Sequence, residues 1–188
     1  MKLNISVNPG RLCMMIALVA AMSVASYGQG GMEVSGNVGV VGGMGSHASL
    51  GGSIGAPITD RLILSGDLFY IPMGSSSVTV GTSTTNTSAS AFNFNGNLMY
   101  QFDPEHSVVP YAGAGIGFLR SSGEVSTNNP LPNTIRLSVS STDAYFNFGG
   151  GLRYYVKPNW GFRPEFMIFA GSNTFVRFAG GIFYQFGE

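Results

Sequence analysis

From Met32 onward the side chains alternate between apolar and polar with a period of two, interrupted by turn residues, and no stretch of 11 or more residues carries a convincing helical period. Successive residues of a strand face opposite ways, so the pattern commits the chain to strands with two unlike faces. The clearest is 90–102, where Phe92, Phe94, Gly96, Leu98, Tyr100 and Phe102 share one face and Asn93, Asn95, Asn97, Met99 and Gln101 the other. Composition says what those faces meet. Only 10% of the 188 residues are charged, against 44% hydrophobic and 12% aromatic, whereas a soluble surface carries about 25% charge or more. The 28 glycines have no Gly-X-Y period, and 14 Phe with 8 Tyr exclude simple disorder. No long apolar run lies beyond the N-terminus, which excludes a helical membrane bundle. Few charges, many aromatics and alternation together describe a membrane-spanning β-barrel, apolar toward lipid and polar toward its interior. A soluble lipocalin-like barrel would need the reverse placement and a more charged exterior.

The N-terminus reads as an export signal. Lys2 and Arg11 form a basic n-region without acids, Leu12 to Ala25 is apolar, and small residues follow. The apolar core is short for a membrane helix and no stop-transfer charges follow it, so residues 1–28 are expected to be a cleaved signal peptide. Ser23 and Ala25 would direct cleavage before Ser26, and Ser26 and Gly28 before Gln29; the second is preferred. Cys13, the single cysteine, lies at the start of this hydrophobic segment, so the mature part 29–188 has no thiol for catalysis, disulfides or thiolate metal sites. Without Lys2 and Arg11, seven basic residues face nine acidic ones, a formal charge of −2. That is no footprint for nucleic acid.

Eight strands are expected, at 32–42, 47–57, 61–72, 90–102, 108–119, 144–156, 161–171 and 174–186. On 144–156, Phe146, Phe148, Leu152, Tyr154 and Val156 should face outward and Asn147, Arg153 and Tyr155 inward; on 174–186, Val176, Phe178, Ile182, Tyr184 and Phe186 outward with Arg177 and Gln185 inward. The connections at 57–60, 103–107 and 157–160 are tight, whereas 73–89 and 120–143 are long. With periplasmic termini, the long segments fall on the cell surface, as in bacterial barrels. Both are rich in Ser, Thr and Asn, yet Val78 with Val80 and Ile135, Leu137 with Val139 keep the alternation, so the strands should continue there as a projecting hairpin or sheet. First and last strands must pair, because an open edge in hydrocarbon strands unsatisfied backbone groups. Strand glycines such as Gly51, Gly113, Gly115, Gly117, Gly149 and Gly151 would ease the curvature of a narrow barrel and make room for large interior neighbours.

The stretches Val109-Pro110-Tyr111-Ala112-Gly113-Ala114-Gly115-Ile116-Gly117-Phe118 and Gly149 through Phe166, with Tyr154-Tyr155-Val156-Lys157-Pro158-Asn159-Trp160-Gly161-Phe162-Arg163-Pro164-Glu165 at its centre, resemble the outer-membrane β-barrel domain family. That family includes opacity-type proteins and the transmembrane domain of outer membrane protein A. The resemblance implies an all-β, eight-stranded antiparallel up-and-down transmembrane barrel in the outer membrane of a Gram-negative-type bacterium. It also implies insertion by the barrel assembly machinery, with outer-membrane lipid and lipopolysaccharide as surroundings. The family pattern ends on an aromatic residue, whereas here Phe186 is followed by Gly187 and Glu188.

By parity Glu33, Asp67 and Glu165 point inward with Arg153, Arg163 and Arg177. Buried charges must be paired, and an eight-stranded interior is just wide enough to be filled by side chains, so the expectation is a neutral network that plugs the lumen. The competing expectation is a gate whose pairs exchange partners to pass ions or small solutes. His47 and His106 fall at opposite ends of the topology and cannot share a hydrolase or metal site, although barrels that modify lipids exist as enzymes. The Gly113, Gly115, Gly117 run lies in a strand with no helix after it and is no nucleotide loop. Trp160, near Tyr154 and Phe162, is expected to anchor the membrane interface. The sequence thus favours a non-enzymatic outer-membrane scaffold without cofactor or bound metal, whose surface loops contact other surfaces. A narrow porin-like channel comes second and a lipid-modifying enzyme third.

Overall fold

The structure is a computed structural model that describes residues 31–43, 45–81, 83–128 and 135–186; the expected signal peptide, 1–28, lies outside the described residues. Eight strands follow in order: β1 (Glu33–Gly42), β2 (His47–Pro57), β3 (Leu62–Val80), β4 (Ser83–Gln101), β5 (Val108–Asn128), β6 (Ile135–Lys157), β7 (Trp160–Gly171) and β8 (Phe175–Gln185). Each pairs antiparallel with the next, and β1 closes on β8 from Glu33↔Gln185 to Gly42↔Val176. Closure leaves no sheet edge in hydrocarbon.

The two faces are sorted as the alternation requires. Phe94, Ile116, Phe146, Phe178 and Ile182 stand exposed on the outer wall, while Asn93, Asn95, Asn97, Asn147 and Arg153 are buried in the lumen. Among the described residues no helix is long and apolar enough to cross a membrane; the crossing is made by strands.

The strands are unequal. β1, β2, β7 and β8 hold 10, 11, 12 and 11 residues, whereas β3, β4, β5 and β6 hold 19, 19, 21 and 23. Pairing of β2 with β3 ends at Leu50↔Tyr70, and pairing of β7 with β6 ends at Tyr145↔Gly171. Beyond those points, among the described residues, β3 to β6 pair only with one another and project as a four-stranded sheet, as far as Val80↔Ser83 and Thr127↔Ile135. The spans 73–89 and 120–143, expected above to carry the strands on as a projecting hairpin or sheet, are mostly strand: β-branched Val78, Val80, Thr85 and Val139 suit a pleated backbone, and the serines between them hydrate one face.

A bulge between Pro72 and Gly74 marks where β3 leaves the barrel, with Gly74 at φ 107°. Bulges at barrel rims bend a strand and re-aim its side chains.

Candidate functional site

The lumen is layered. At the end carrying Glu33 and Gln185, Arg153 donates to Glu33 and, at 3.3 Å, to the Tyr155 hydroxyl, while the Gln185 amide lies 3.4 Å from Glu33. Arg163 Nη1 bonds the other Glu33 oxygen at 3.2 Å, and its Nη2 reaches Ser53 Oγ at 2.9 Å and Ser35 Oγ at 3.2 Å. Glu165 continues the chain, accepting from Arg177 Nη2 at 2.7 Å and from the Tyr111 hydroxyl at 2.8 Å. Arg177 also lies 3.5 Å from the centre of the Phe69 ring, a cation–π contact that partly replaces lost hydration.

The six inward charges expected from sequence are all buried, but only five form ion pairs: Glu33 with Arg153 and Arg163, and Glu165 with Arg163 and Arg177. Asp67 stands outside that chain. Its carboxylate accepts from the Asn97 amide, and its Oδ1 has no hydrogen-bond partner among the described residues.

Further along the axis the chemistry changes. Asn93 and Asn95 flank the Tyr145 hydroxyl, which accepts from Asn93 and donates to Asn95; Asn95 in turn donates to Asn93 at 2.7 Å and accepts from the Asn147 amide at 3.4 Å. Past this amide belt lies a buried apolar cluster that includes Val41, Ile71, Leu119, Met167, Phe169 and Phe175. Phe169 and Phe175 stack with centroids 4.5 Å apart, and Tyr145 meets both edge-on. Inward glycines admit these groups. A Cβ on Gly117 would strike Asn95, the Phe94 carbonyl and the Tyr145 hydroxyl.

Sequence reasoning missed this buried aromatic cluster. Phe169 and Phe175 share the inward parity of Glu165 and Arg177, but aromatic residues in a membrane strand suggest lipid contact, and only the position at the strand ends, where the lumen opens, marks them as a cap. Tyr111 and Tyr145 carry the same signal, sharing the inward parity of Gly113 and Asn147.

The other expected positions fall apart from one another. His47 begins β2 at the end of the barrel from which the sheet projects, whereas His106 lies in the β4–β5 turn at the opposite end, with Nδ1 3.1 Å from Asp103. Among the described residues no group of three or more His, Cys, Asp or Glu is arranged to hold a metal. Trp160 opens β7 beside Phe162, ring centroids 5.9 Å apart, and opposite Tyr184. With the Tyr100–Phe102 and Tyr184–Phe186 pairs it belongs to an aromatic band near the tight turns, while Tyr70 and Phe92, 5.1 Å apart, stand at the other rim.

The projecting sheet has faces of its own. On the face continuous with the lumen wall lie Val78, Val80, Val125, Leu137 and Val139, all exposed. The outward face carries Ser75, Ser77, Ser88, Ser122, Ser138 and Ser140 and holds two adjoining clefts of about 620 and 420 Å³.

A closed antiparallel barrel with an apolar belt, a polar lumen and aromatic rims is a transmembrane barrel of the outer-membrane class. The sequence pattern of the outer membrane protein β-barrel domain matches residues 12–182, and the chain belongs to that family and to the outer membrane. No curated protein sequence matches it. Solved structures of similar fold include the N-terminal β-barrel domain of Pseudomonas aeruginosa OprF, 18% identical, TM-score 0.54, covering 85% of this chain and 99% of that one. Neisserial surface protein A is 17% identical, TM-score 0.55, covering 82% and 96%. Ail, the attachment invasion locus protein of Yersinia pestis, is 11% identical, TM-score 0.52, covering 85% and 99%. At these identities the likeness is one of fold.

Proposed function

We propose that this outer-membrane barrel is a structural and surface-interaction scaffold with a closed lumen, which holds the β3–β6 sheet outside the cell. The observation that carries the reading is a contrast: β3 to β6 run on as an ordered sheet, while the mouth beneath them is filled by Phe169, Phe175 and Leu119. A barrel end closed by apolar side chains resists wetting, and a sheet with two unpaired edges offers backbone groups to a partner strand. Tight turns face the periplasm by the general rule of such barrels, which puts the sheet at the cell surface. Trp160 and its neighbours hold the periplasmic interface, lipopolysaccharide and other outer-membrane lipids form the surroundings, and the barrel assembly machinery inserts the chain. The protein performs no catalytic step.

A narrow channel is the second reading, and one observation favours it. Among the described residues, Asp67 Oδ1 and two nitrogens of Arg177, Nε and Nη1, are buried without hydrogen-bond partners, so polar capacity remains in mid-lumen.

Replacing residues 75–88 and 123–140 by tight turns tests the scaffold. The shortened protein should still give the compact band of a folded barrel in unboiled electrophoresis, and vesicles carrying it should lose the adhesion to cell surfaces shown by vesicles with the full sheet. Equal adhesion by both would overturn the reading.

A further inference from the structure

The outer wall of β3 to β6 changes chemistry in register, row by row, where the sheet leaves the membrane. Leu68, Phe94 and Phe118 are paired neighbours in an apolar row. The next row is Tyr70, Phe92, Arg120 and Thr142; then come Pro72, Ser90, Ser122 and Ser140, and beyond the bulge Ser75, Ser88, Glu124 and Ser138. Arg120 therefore stands where apolar wall gives way to hydroxyl-bearing wall, and among the described residues no carboxylate lies within ion-pair distance of it. The larger cleft opens at this junction. Its lining runs from Tyr70 and Arg120 to Ser122, Glu124 and Ser138.

An amphiphile set against this wall would meet three zones in sequence: hydrocarbon beside Phe94 and Phe118, an anion beside Arg120, and a polyhydroxyl group among serines and Glu124. Guanidinium groups bind phosphate through paired, charge-assisted hydrogen bonds, and sugars exchange water for just such hydroxyl and carboxylate partners. We propose that this cleft is a binding site for a phosphorylated glycolipid of the outer leaflet, with its phosphate on Arg120, its saccharide in the cleft and its acyl chains on the Phe94–Phe118 wall. The soluble glycan of another surface is disfavoured because the cleft ends at Tyr70 and Arg120, in the row that adjoins the lipid-facing row of Leu68, Phe94 and Phe118. The site rests on the reading that the sheet projects at the cell surface.

The refolded protein in phosphatidylcholine nanodiscs decides the matter, with three probes: diphosphorylated lipid A, its dephosphorylated form, and a phosphorylated, acyl-free core oligosaccharide. Lipid A should bind about tenfold or more tightly than the dephosphorylated form, the size of one charged hydrogen-bonding contact. Arg120→Ala should abolish that difference, Ser122→Trp should fill the cleft and weaken lipid A binding comparably, and Arg136→Ala, farther out on the sheet, should change nothing. Unboiled electrophoresis confirms that each variant is folded. Equal lipid A binding by the protein, Arg120→Ala and Ser122→Trp would overturn the site, and an acyl-free oligosaccharide bound as tightly as lipid A would overturn the membrane as its source. Loss of adhesion on shortening the sheet is a separate readout, so the scaffold can fail while this site stands, and the reverse.

Discussion

Two stretches of β6 obey opposite rules. From Tyr145 to Arg153 it turns Phe146, Phe148 and Leu152 outward and Asn147 and Arg153 inward, whereas from Arg136 to Thr142 it turns Ser138 and Ser140 outward and Leu137 and Val139 inward. No bulge separates the two stretches on the β5 side. The backbone period tells which residues share a face, and the surrounding solvent decides which face is apolar. The inversion at Ala144 and Tyr145 therefore marks the membrane boundary in the sequence itself.

The comparison breaks most readily through charge. Arg153→Glu would set two buried carboxylates against each other beside Arg163, so the loss should exceed the about 3–5 kcal/mol of breaking a buried pair. The measurement is the urea midpoint of the compact electrophoretic band. Ser138→Glu, a new acid on the outward face of the sheet, should stay within about 0.5 kcal/mol. If both variants unfold alike, barrel and sheet are not distinct environments.

Volume gives the next contrast. Gly117→Val drives a side chain into Asn95 and Tyr145 and should cost about 1–3 kcal/mol or more, whereas at Gly123 a Cβ meets nothing nearer than the Ser88 carbonyl at 4.0 Å. Gly123→Val should thus leave the same urea midpoint almost unmoved. A smaller effect is expected of Tyr145→Phe, which keeps the ring against Phe169 and removes the hydroxyl between Asn93 and Asn95. Leaving those amides short of a partner should cost about 1–3 kcal/mol, read from the same transition. Least of all is expected from Leu137→Ser with Val139→Ser, within about 0.5 kcal/mol for the barrel; a larger loss would mean that the inward face of the sheet packs against the barrel mouth.

The fold was legible because alternation, turn chemistry and the need to close a sheet in lipid all point to one answer, and β2 has the bounds expected from the pattern around His47 and Pro57. The inward charges were legible from parity for the same reason. Their partnership was not, since pairing across the lumen depends on barrel shear, and a one-dimensional pattern does not encode it. Asp67 shows this best: it has the right parity and the right neighbours in sequence, yet it meets Asn97 while Glu33 and Glu165 take the arginines. The cap of Phe169 and Phe175 was hidden by a different ambiguity, because an aromatic residue at a strand end serves a girdle or a plug equally well. The projecting sheet was half visible, its valines legible as strand and its serines as loop.

The central claim is that the apolar cap closes the lumen and leaves function to the projecting sheet. Single-channel recording of the refolded protein in a planar bilayer tests it most directly, after unboiled electrophoresis has shown a folded barrel. The account predicts silence from the unmodified chain and discrete steps once Phe169→Ala and Phe175→Ala open the mouth. Reproducible steps from the unmodified, demonstrably folded chain would contradict it and make the lumen the working part of the molecule.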